Sequence, residues 1–145
     1  MSVQIKPMTI EDYNEIFAMW QITTKRALSK ADDRDEIERY LKRNEGLSQV
    51  AVCDNKIVGT VLAGHDGRRG FIHHMAVMPE YRRKGIAKAM AEKAIESLAK
   101  EGIVKTHIFT YCDNNAGQGF WSNLGFEKRD DIFVYSYEKK VIIKE

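Results

Sequence analysis

The stretch PEYRRKGIAKAM, residues 79–90, places basic side chains at the start of a predicted helix. Four of them stand just before or within the first turn: Arg82, Arg83, Lys84 and Lys88. A helix N-terminus carries a partial positive charge, so these cations are unfavourable there unless an anion is bound. Free amides at a helix start attract phosphate, and Gly85 allows a close approach of the backbone. The stretch therefore predicts a phosphate site, with a solvated charge run as the alternative.

The segments on either side of this stretch give the fold its main elements. Three runs rich in β-branched residues precede it, and the turn sequences DNK and HDGRRG separate them, which predicts an antiparallel meander. These strands are expected at residues 47–54, 56–64 and 70–77. A long helix from about Gly85 to Glu101 follows, with an apolar face and Gly102 as its stop.

Shorter elements complete the chain on both sides. A strand in VQIKPM, a helix with an apolar face from Tyr13 to Trp20, and a short helix over 33–44 come first. After the long helix, KTHIFTYC predicts a strand, NNAGQGFWSNLG a short helix ended by Gly125, and DDIFVYSYEKK a last strand. The predicted fold class is mixed α+β, in the order strand, two helices, three strands, helix, strand, helix, strand.

Composition favours one globular domain over residues 1–145. The chain is 43% hydrophobic and 30% charged, which is ordinary for a soluble protein. Its net charge of +2 is too small for a protein that follows a nucleic-acid backbone. Cys53 and Cys112 are too few for a disulfide framework, and no leader or long apolar run is present. We therefore expect a cytoplasmic protein that binds neither nucleic acid nor membrane.

Two motifs resemble those of the GNAT superfamily of N-acetyltransferases. Arg82-x-x-Gly85-x-Ala87 is similar to the (Gln/Arg)-x-x-Gly-x-(Gly/Ala) signature that binds the pyrophosphate of acetyl-CoA, and NNAGQGFWSNLGF, residues 114–126, is similar to the second motif. The order of elements is also the GNAT order, whereas Walker A and G-x-G-x-x-G sequences are absent. The resemblance implies a central, mixed but mostly antiparallel twisted sheet of six or seven strands, flanked by four helices.

The resemblance also implies how acetyl-CoA is held, without a metal. Backbone groups of Met75 and Val77 would bond the pantetheine arm where the strand HHMAV parts from HIFTYC, and one amide in this region would polarise the thioester carbonyl. Amides near the helix start would hold the pyrophosphate, and Asn114 would contact the pantetheine. The residues implied to contact acetyl-CoA are Met75, Val77, Arg82, Arg83, Lys84, Gly85, Ile86, Ala87, Lys88, Asn114 and Trp121.

A general base is expected, because an amine must lose a proton before it attacks. His73 is the candidate, since some GNAT members place a His or Glu on this strand facing the acceptor. Alternation puts His73, Met75 and Val77 on one face, with His74 and Ala76 on the other. A β-bulge would exchange the faces and leave His74 as a candidate. Alternatively, both histidines are hydrogen-bonded residues of a half-buried strand, and a metal shared by strand neighbours is disfavoured.

The leaving thiolate lacks its usual partner in this chain. Many GNAT members have a tyrosine seven residues after the Asn of the second motif, where this chain has Trp121, and an indole N–H is not a usable acid. Tyr111, at the end of the preceding predicted strand, is the candidate substitute, with strand packing as its alternative. Core packing is also an alternative for Phe120 and Trp121, and it is favoured more strongly for Phe120.

The turn GHDGRRG, residues 64–70, carries several charged side chains at a hairpin tip. A solvated turn is the favoured interpretation. In the alternative, Arg68 or Arg69 meets an anionic group of the acceptor, or His65 and Asp66 tune the base.

The sequence thus predicts an acetyl-CoA-dependent N-acetyltransferase that works by direct attack in a ternary complex. The acceptor would be a primary amine of a small molecule, a peptide or a protein N-terminus, among which the sequence does not select. A non-catalytic acyl-CoA-binding module is the alternative, because Trp121 replaces the usual tyrosine. A nucleic-acid contact through YRRKG is disfavoured by the small net charge, and a homodimer is left open.

Overall fold

The structure, a computed structural model, describes residues 2–140. Its strands are β1 Gln4–Pro7, β2 Gln49–Cys53, β3 Lys56–His65, β4 Gly70–Val77 and β5 Thr106–Ile108. Its α-helices are α1 Tyr13–Thr23, α2 Arg34–Arg43, α3 Ile86–Lys100 and α4 Asn115–Asn123. Short 3₁₀ turns lie at Ile10–Asp12, Lys25–Ala27, Lys30–Asp32 and Pro79–Tyr81. These elements confirm the α+β class, and they follow the predicted order as far as α4.

The chain divides into two compact units between Phe109 and Thr110. The first unit contains the whole sheet and helices α1 to α3, and the second contains α4. The predicted phosphate site and both candidate histidines therefore belong to the first unit. The second GNAT-like motif belongs to the second unit.

The five strands form one sheet in the order β1-β2-β3-β4-β5. Neighbours pair antiparallel from β1 to β4, which confirms the predicted meander, and β5 pairs parallel to β4. A parallel neighbour requires a crossover connection, which α3 supplies. The sheet is therefore mixed and mostly antiparallel, with five strands in the described chain where six or seven were predicted.

Helices α1 and α3 cover opposite faces of this sheet. Gly59 and Thr60 are neighbours on β3, so they point to opposite faces. The indole of Trp20 in α1 donates to Thr60 Oγ1 (2.9 Å), whereas a Cβ on Gly59 would lie 2.8 Å from Met90 Cε in α3. A Cβ on Gly59 would therefore crowd the end of the Met90 side chain, so α3 packs on this face of the sheet. The side covered by α1 and α2 is called the α1 face below.

Strand β4 contains a β-bulge at His74. Its register against β3 runs from His73 opposite Leu62 to Ala76 opposite Thr60, so β4 has one more residue in this interval than its partner. His74 has a φ of 47°, in the left-handed region that non-glycine residues rarely adopt.

The bulge places both histidines on the α1 face. His73 is opposite Leu62, which belongs to the same apolar cluster as Trp20 and Ala76. The His74 ring stacks on Trp20, with ring centroids 4.2 Å apart. The prediction that His74 and Ala76 lie on the face opposite His73 is therefore wrong, because alternation assumes a strand with no extra residue.

Two predicted strands differ from the structure. Strand β5 ends at Ile108, so Tyr111 lies beyond it and not at its end. Residues 130–140 form no strand, and Phe133 and Tyr135 are 86% and 91% exposed. The last predicted strand is therefore wrong. A strand exists only where a neighbouring strand satisfies its backbone groups, and residue pattern alone does not reveal that neighbour.

Candidate active site

The connection from β4 to α3 presents a helix start with unpaired amides. Arg83 and Gly85 both have left-handed φ values, 62° and 80°. The first hydrogen bond of the helix at this end runs from Ala89 N to Gly85 O (3.1 Å). Within the described residues, the amides of 83–88 have no backbone acceptor. These amides are therefore available to an anion, as the first amides of a helix commonly are.

Arg82 joins this loop to the end of β4. Its Nε donates to the carbonyl oxygen of Val77 (3.0 Å), and the guanidinium keeps further N–H donors for another partner. A long side chain with a donor near its end is needed for this contact.

The cations around the helix start are all exposed: Arg82, Arg83, Lys84 and Lys88. In the part of the chain that the structure describes, no ion pair to an acidic side chain neutralises them. Four positive side chains and a helix N-terminus therefore share one location without a compensating charge. A polyanion bound here would relieve that repulsion.

Strand β4 has an open edge next to this loop. Its parallel pairing with β5 ends at Ile72 opposite Ile108, although β4 continues to Val77. The Met78 amide donates to Val58 O on β3 (2.8 Å), so the amide of Val77, one residue earlier, points to the other edge. Met75 belongs to the bulged interval between His73 and Ala76. Of the two predicted pantetheine contacts, the Val77 amide thus lies on the open edge, and Met75 lies in the bulge that precedes it.

His73 lies just before this open edge on the α1 face. Its ring meets the edge of Phe109, with centroids 6.4 Å apart, and its side chain is half-buried. Burial lowers the pKa of His73 below its ordinary value of 6.5, the nearby His74 lowers it further, and Asp32 raises it. His73 is therefore mainly neutral at pH 7, which is the state in which an imidazole accepts a proton.

His74 has both ring nitrogens occupied by protein groups. Nδ1 lies 2.9 Å from Thr24 Oγ1, and Nε2 lies 3.0 Å from Asp32 Oδ1. Trp20 covers one face of the ring, and the His74 side chain is only 5% exposed. Thr60 Oγ1 donates to the His74 carbonyl oxygen (2.9 Å). His74 therefore has no nitrogen left for a substrate amine, which leaves His73 as the candidate base.

Asp32 is a site residue that the sequence reading missed. Burial alone would raise the pKa of Asp32, but the hydrogen bond and charge of His74 and the Ser29 amide outweigh it and hold the pKa below 3.8. The carboxylate is 8% exposed and ionised at neutral pH. The spacing Ser29-x-x-Asp32 is that of a capping box, and the structure contains this box. That signal predicts the local turn, but it does not predict the contact with His74.

In the second unit, Asn114 caps α4 and Tyr111 precedes it. Asn114 Oδ1 accepts a hydrogen bond from Gly117 N (3.0 Å). The Tyr111 carbonyl accepts from Asn114 N (3.0 Å), and the Tyr111 side chain is 42% exposed. The side-chain oxygen of Asn114 therefore caps the helix, and Tyr111 belongs to the turn in front of it.

Trp121 takes part in the C-terminal cap of α4. Phe126 N donates to Trp121 O (3.0 Å) and Gly125 N to Ser122 O (3.0 Å), with Gly125 at a φ of 98°. This is a Schellman motif, in which the residue after the glycine packs on the residue five positions earlier. The rings of Trp121 and Phe126 meet accordingly, with centroids 4.9 Å apart. Trp121 is 7% exposed and Phe120 is only half-buried, the reverse of the expectation that favoured Phe120 as the core residue.

The hairpin turn between β3 and β4 is held by its own side chains. Asp66 Oδ1 accepts from the amides of Arg68 and Arg69 (2.8 Å each). His65 Nδ1 accepts from Gly67 N (2.9 Å), so Nε2 carries the proton and donates to Glu101 Oε1 (2.9 Å). These contacts account for His65 and Asp66 as residues that stabilise the turn.

Between residues 2 and 140, no group of three or more His, Cys, Asp or Glu side chains is arranged to hold a metal ion. No helix in the same range has the length and apolar character that crossing a membrane requires.

Comparison with known proteins agrees with the motifs. The family model described as "Acetyltransferase (GNAT) family" matches residues 10–126. The PaiA N-acetyltransferase from Thermoplasma acidophilum, solved with coenzyme A, is 20% identical with a TM-score of 0.77, covering 91% of this chain and 94% of that one. AAC(6')-Iy, solved with the bisubstrate analogue CoA-S-monomethyl-acetylneamine, is 19% identical with a TM-score of 0.76, covering 96% and 100%. Ard1 from Thermoplasma volcanium is 16% identical with a TM-score of 0.77, covering 88% and 84%.

Proposed function

The chain belongs to the acetyltransferase (GNAT) family, and we propose that it transfers the acetyl group of acetyl-CoA to a primary amine by direct attack in a ternary complex. The observation that carries this proposal is the start of α3. There, unpaired amides of 83–88 and four exposed cations share one location with no neutralising acid in the described chain. This arrangement suits the diphosphate of CoA.

The open edge of β4 supports binding of the rest of the cofactor. The pantetheine contains two amides, which can pair with a strand edge in the manner of an added strand. Val77 offers its amide on that edge, and the edge leads from the phosphate loop past Met75 toward His73. We propose the Met75 amide, in the bulge, as the donor that stabilises negative charge on the thioester oxygen, a contribution that is typically about 10² to 10³-fold in rate.

His73 supports the transfer chemistry itself. A protonated amine cannot attack, and a neutral imidazole on the α1 face can take up its proton. The amine nitrogen then forms its bond to the acetyl carbon while the bond from carbon to sulfur breaks. CoA leaves as the thiolate, one of the two protons left on the nitrogen passes to the thiolate or to solvent, and the other stays on the amide product.

A second candidate function is a non-catalytic acyl-CoA-binding module. It is favoured by Trp121, whose ring is 7% exposed and packs on Phe126 as part of a helix cap. A residue used in this way offers no acid for the leaving thiolate.

One experiment separates the two functions. The full chain is tested for binding of CoA and acetyl-CoA by calorimetry, and for thiol release from acetyl-CoA with a panel of polyamines, aminoglycosides, amino acids and N-terminal peptides. An acetyltransferase binds the cofactor and releases thiol only when its amine is present. Tight binding without amine-dependent release by any member of the panel supports the binding module instead. Failure to bind CoA at all removes both.

A further inference from the structure

We propose that Asp32 is a positioning residue for acetyl transfer, acting through His74 to hold the β4 bulge between the base and the amide that faces the thioester. The proposal deepens the proposed function and rests on it. It assigns a role to a carboxylate that lies on the connection between α1 and α2, not on the strand that carries His73.

His74 has a strained backbone. Its φ of 47° is unfavourable for a residue with a Cβ, and such a conformation persists only where the surroundings enforce it. A glycine would adopt it without strain, yet the position holds a bulky imidazole. The side chain of His74 must therefore contribute contacts that maintain the bulge.

Those contacts come from other segments of the chain. Both ring nitrogens and the carbonyl oxygen of His74 have partners on other segments, at 2.9 to 3.0 Å: Thr24, Asp32 and Thr60. Trp20 stacks on the ring and also donates to Thr60 Oγ1, so the ring and the carbonyl are held by one connected network. Every polar atom of the ring is satisfied away from water.

Asp32 holds this network through both of its carboxylate oxygens. One carboxylate oxygen accepts from His74 Nε2 and the other from Ser29 N (3.0 Å). The backbone carbonyl of Asp32 accepts from the Tyr13 hydroxyl, so the residue is fixed from three sides. Asp32 therefore joins the turn between α1 and α2 to the bulge. Replacing the carboxylate by an amide leaves either the buried His74 ring or the Ser29 amide of the capping box without its acceptor.

The bulge lies between the two groups that are proposed to act on the amine and on the thioester. His74 lies between His73, the proposed base, and Met75, whose amide is the proposed donor to the thioester oxygen. A shift of the bulge moves both groups together relative to a bound thioester. Displacements of about 1 Å in reacting groups can reduce rates by roughly 10²-fold. The phosphate loop lies beyond the end of β4, so its contribution to CoA affinity should not depend on Asp32, and the Kd of CoA should change little.

The test compares Asp32→Asn with the matched control Asp33→Asn. Asp33 is the adjacent acid, is exposed, and makes no side-chain cap hydrogen bond at the start of α2. For both variants, kcat and KM are measured with the best amine of the panel, the Kd of CoA by calorimetry, and the backbone amide signals of residues 73–76 by NMR. We expect Asp32→Asn to lower kcat at least about tenfold, to shift or broaden those amide signals, and to leave the Kd of CoA within about twofold. Asp33→Asn should change none of the three.

A second variant covers the case in which Asp32→Asn fails to fold. His74→Gly keeps the left-handed backbone accessible but removes the ring on which Asp32 acts, so it should lower kcat with the same unchanged Kd of CoA. The proposal is overturned if either variant turns over like Asp33→Asn, or if the loss lies entirely in the Kd of CoA. A wild-type chain that acetylates no amine refutes the proposed function instead, and the amide signals then decide alone whether Asp32 holds the bulge.

Discussion

Two adjacent histidines with the same intrinsic chemistry have different surroundings in this chain. His73 is half-buried and keeps its ring close to the open edge of β4, whereas His74 has both nitrogens occupied. An imidazole is useful as a base only when one nitrogen is neutral and accessible. We therefore propose His73 as the base because both ring nitrogens of His74 have hydrogen-bond partners in the protein, and not because of its position along the strand.

The pH dependence of turnover should follow His73. Its pKa lies below 6.5, first because of burial and then because of His74, so the neutral base is present at pH 7 and is lost only as the pH falls below 6.5. We expect kcat/KM to decline on the acid side of that value in the wild type. His73→Gln should lower kcat at least about tenfold, while the Kd of CoA stays unchanged.

The informative contrast is the shape of the acid limb. If His73 is the base, the residual activity of His73→Gln should no longer show that limb. An acid limb that survives unchanged in His73→Gln would assign it to the amine or to another group. An equal loss in turnover and in CoA affinity would make His73 a structural residue.

The sequence predicted some site residues and not others, for reasons visible at the level of single residues. His73 and the cations near Gly85 could be proposed from the sequence because strand position and helix electrostatics are local properties. Asp32 was missed because it is 42 residues from His74 in sequence, and only the tertiary fold brings them together. Simple alternation put the two histidines on opposite faces, and the bulge that the sequence analysis left open as an alternative depends on the register with β3.

At the scale of elements, prediction succeeded where local signals sufficed. The bounds of β4 and α3 agree with the sequence reading within one residue, because turn residues and glycine stops mark their ends. Strand β5 was predicted too long, since it ends where it separates from β4 at Ile108. The separation that shortens β5 is also what opens the edge of β4.

The start of α3 should be sensitive to the conformation of Gly85. A Cβ there meets no atom within 4 Å, but the φ of 80° is strained for any residue with a side chain. Gly85→Ala should therefore disturb the amides of the loop and weaken CoA binding, by an amount that calorimetry at fixed salt measures as roughly a tenfold or larger increase in Kd.

Gly102 provides the matched control at the other end of the same helix. It has a φ of 85°, and a Cβ would likewise meet nothing within 4 Å. Gly102→Ala should lower the free energy of unfolding by about 1 kcal/mol, much as Gly85→Ala does, without a change in the Kd of CoA. Equal affinities for the two variants would show that the loop amides do not hold the phosphates.

At the scale of the whole molecule, stability should reside in the first unit. Its core contains fully buried side chains from α1, α3 and the sheet, among them Trp20, Met90 and Leu98, each 0% exposed. In the second unit, residues 132–137 leave several large apolar side chains in solvent, with Phe133 86% and Tyr137 91% exposed. A sequence pattern of alternating aromatic and β-branched residues is therefore compatible with two states, a buried strand or an exposed segment.

Removing the exposed aromatic side chains of residues 132–137 should cost little stability, unlike the removal of buried aromatic residues. The triple variant Phe133→Ser, Tyr135→Ser, Tyr137→Ser removes side chains that bury little surface, so the free energy of unfolding should change by less than about 1 kcal/mol in total. Leu98→Ala, in contrast, should cost about 2 to 5 kcal/mol, because it opens a cavity beneath α3. Urea unfolding of the full chain at two protein concentrations measures both. A loss for the triple variant as large as that for Leu98→Ala would mean that residues 132–137 are packed in solution, and a dependence of that loss on concentration would identify a second copy of the chain as the surface they pack against.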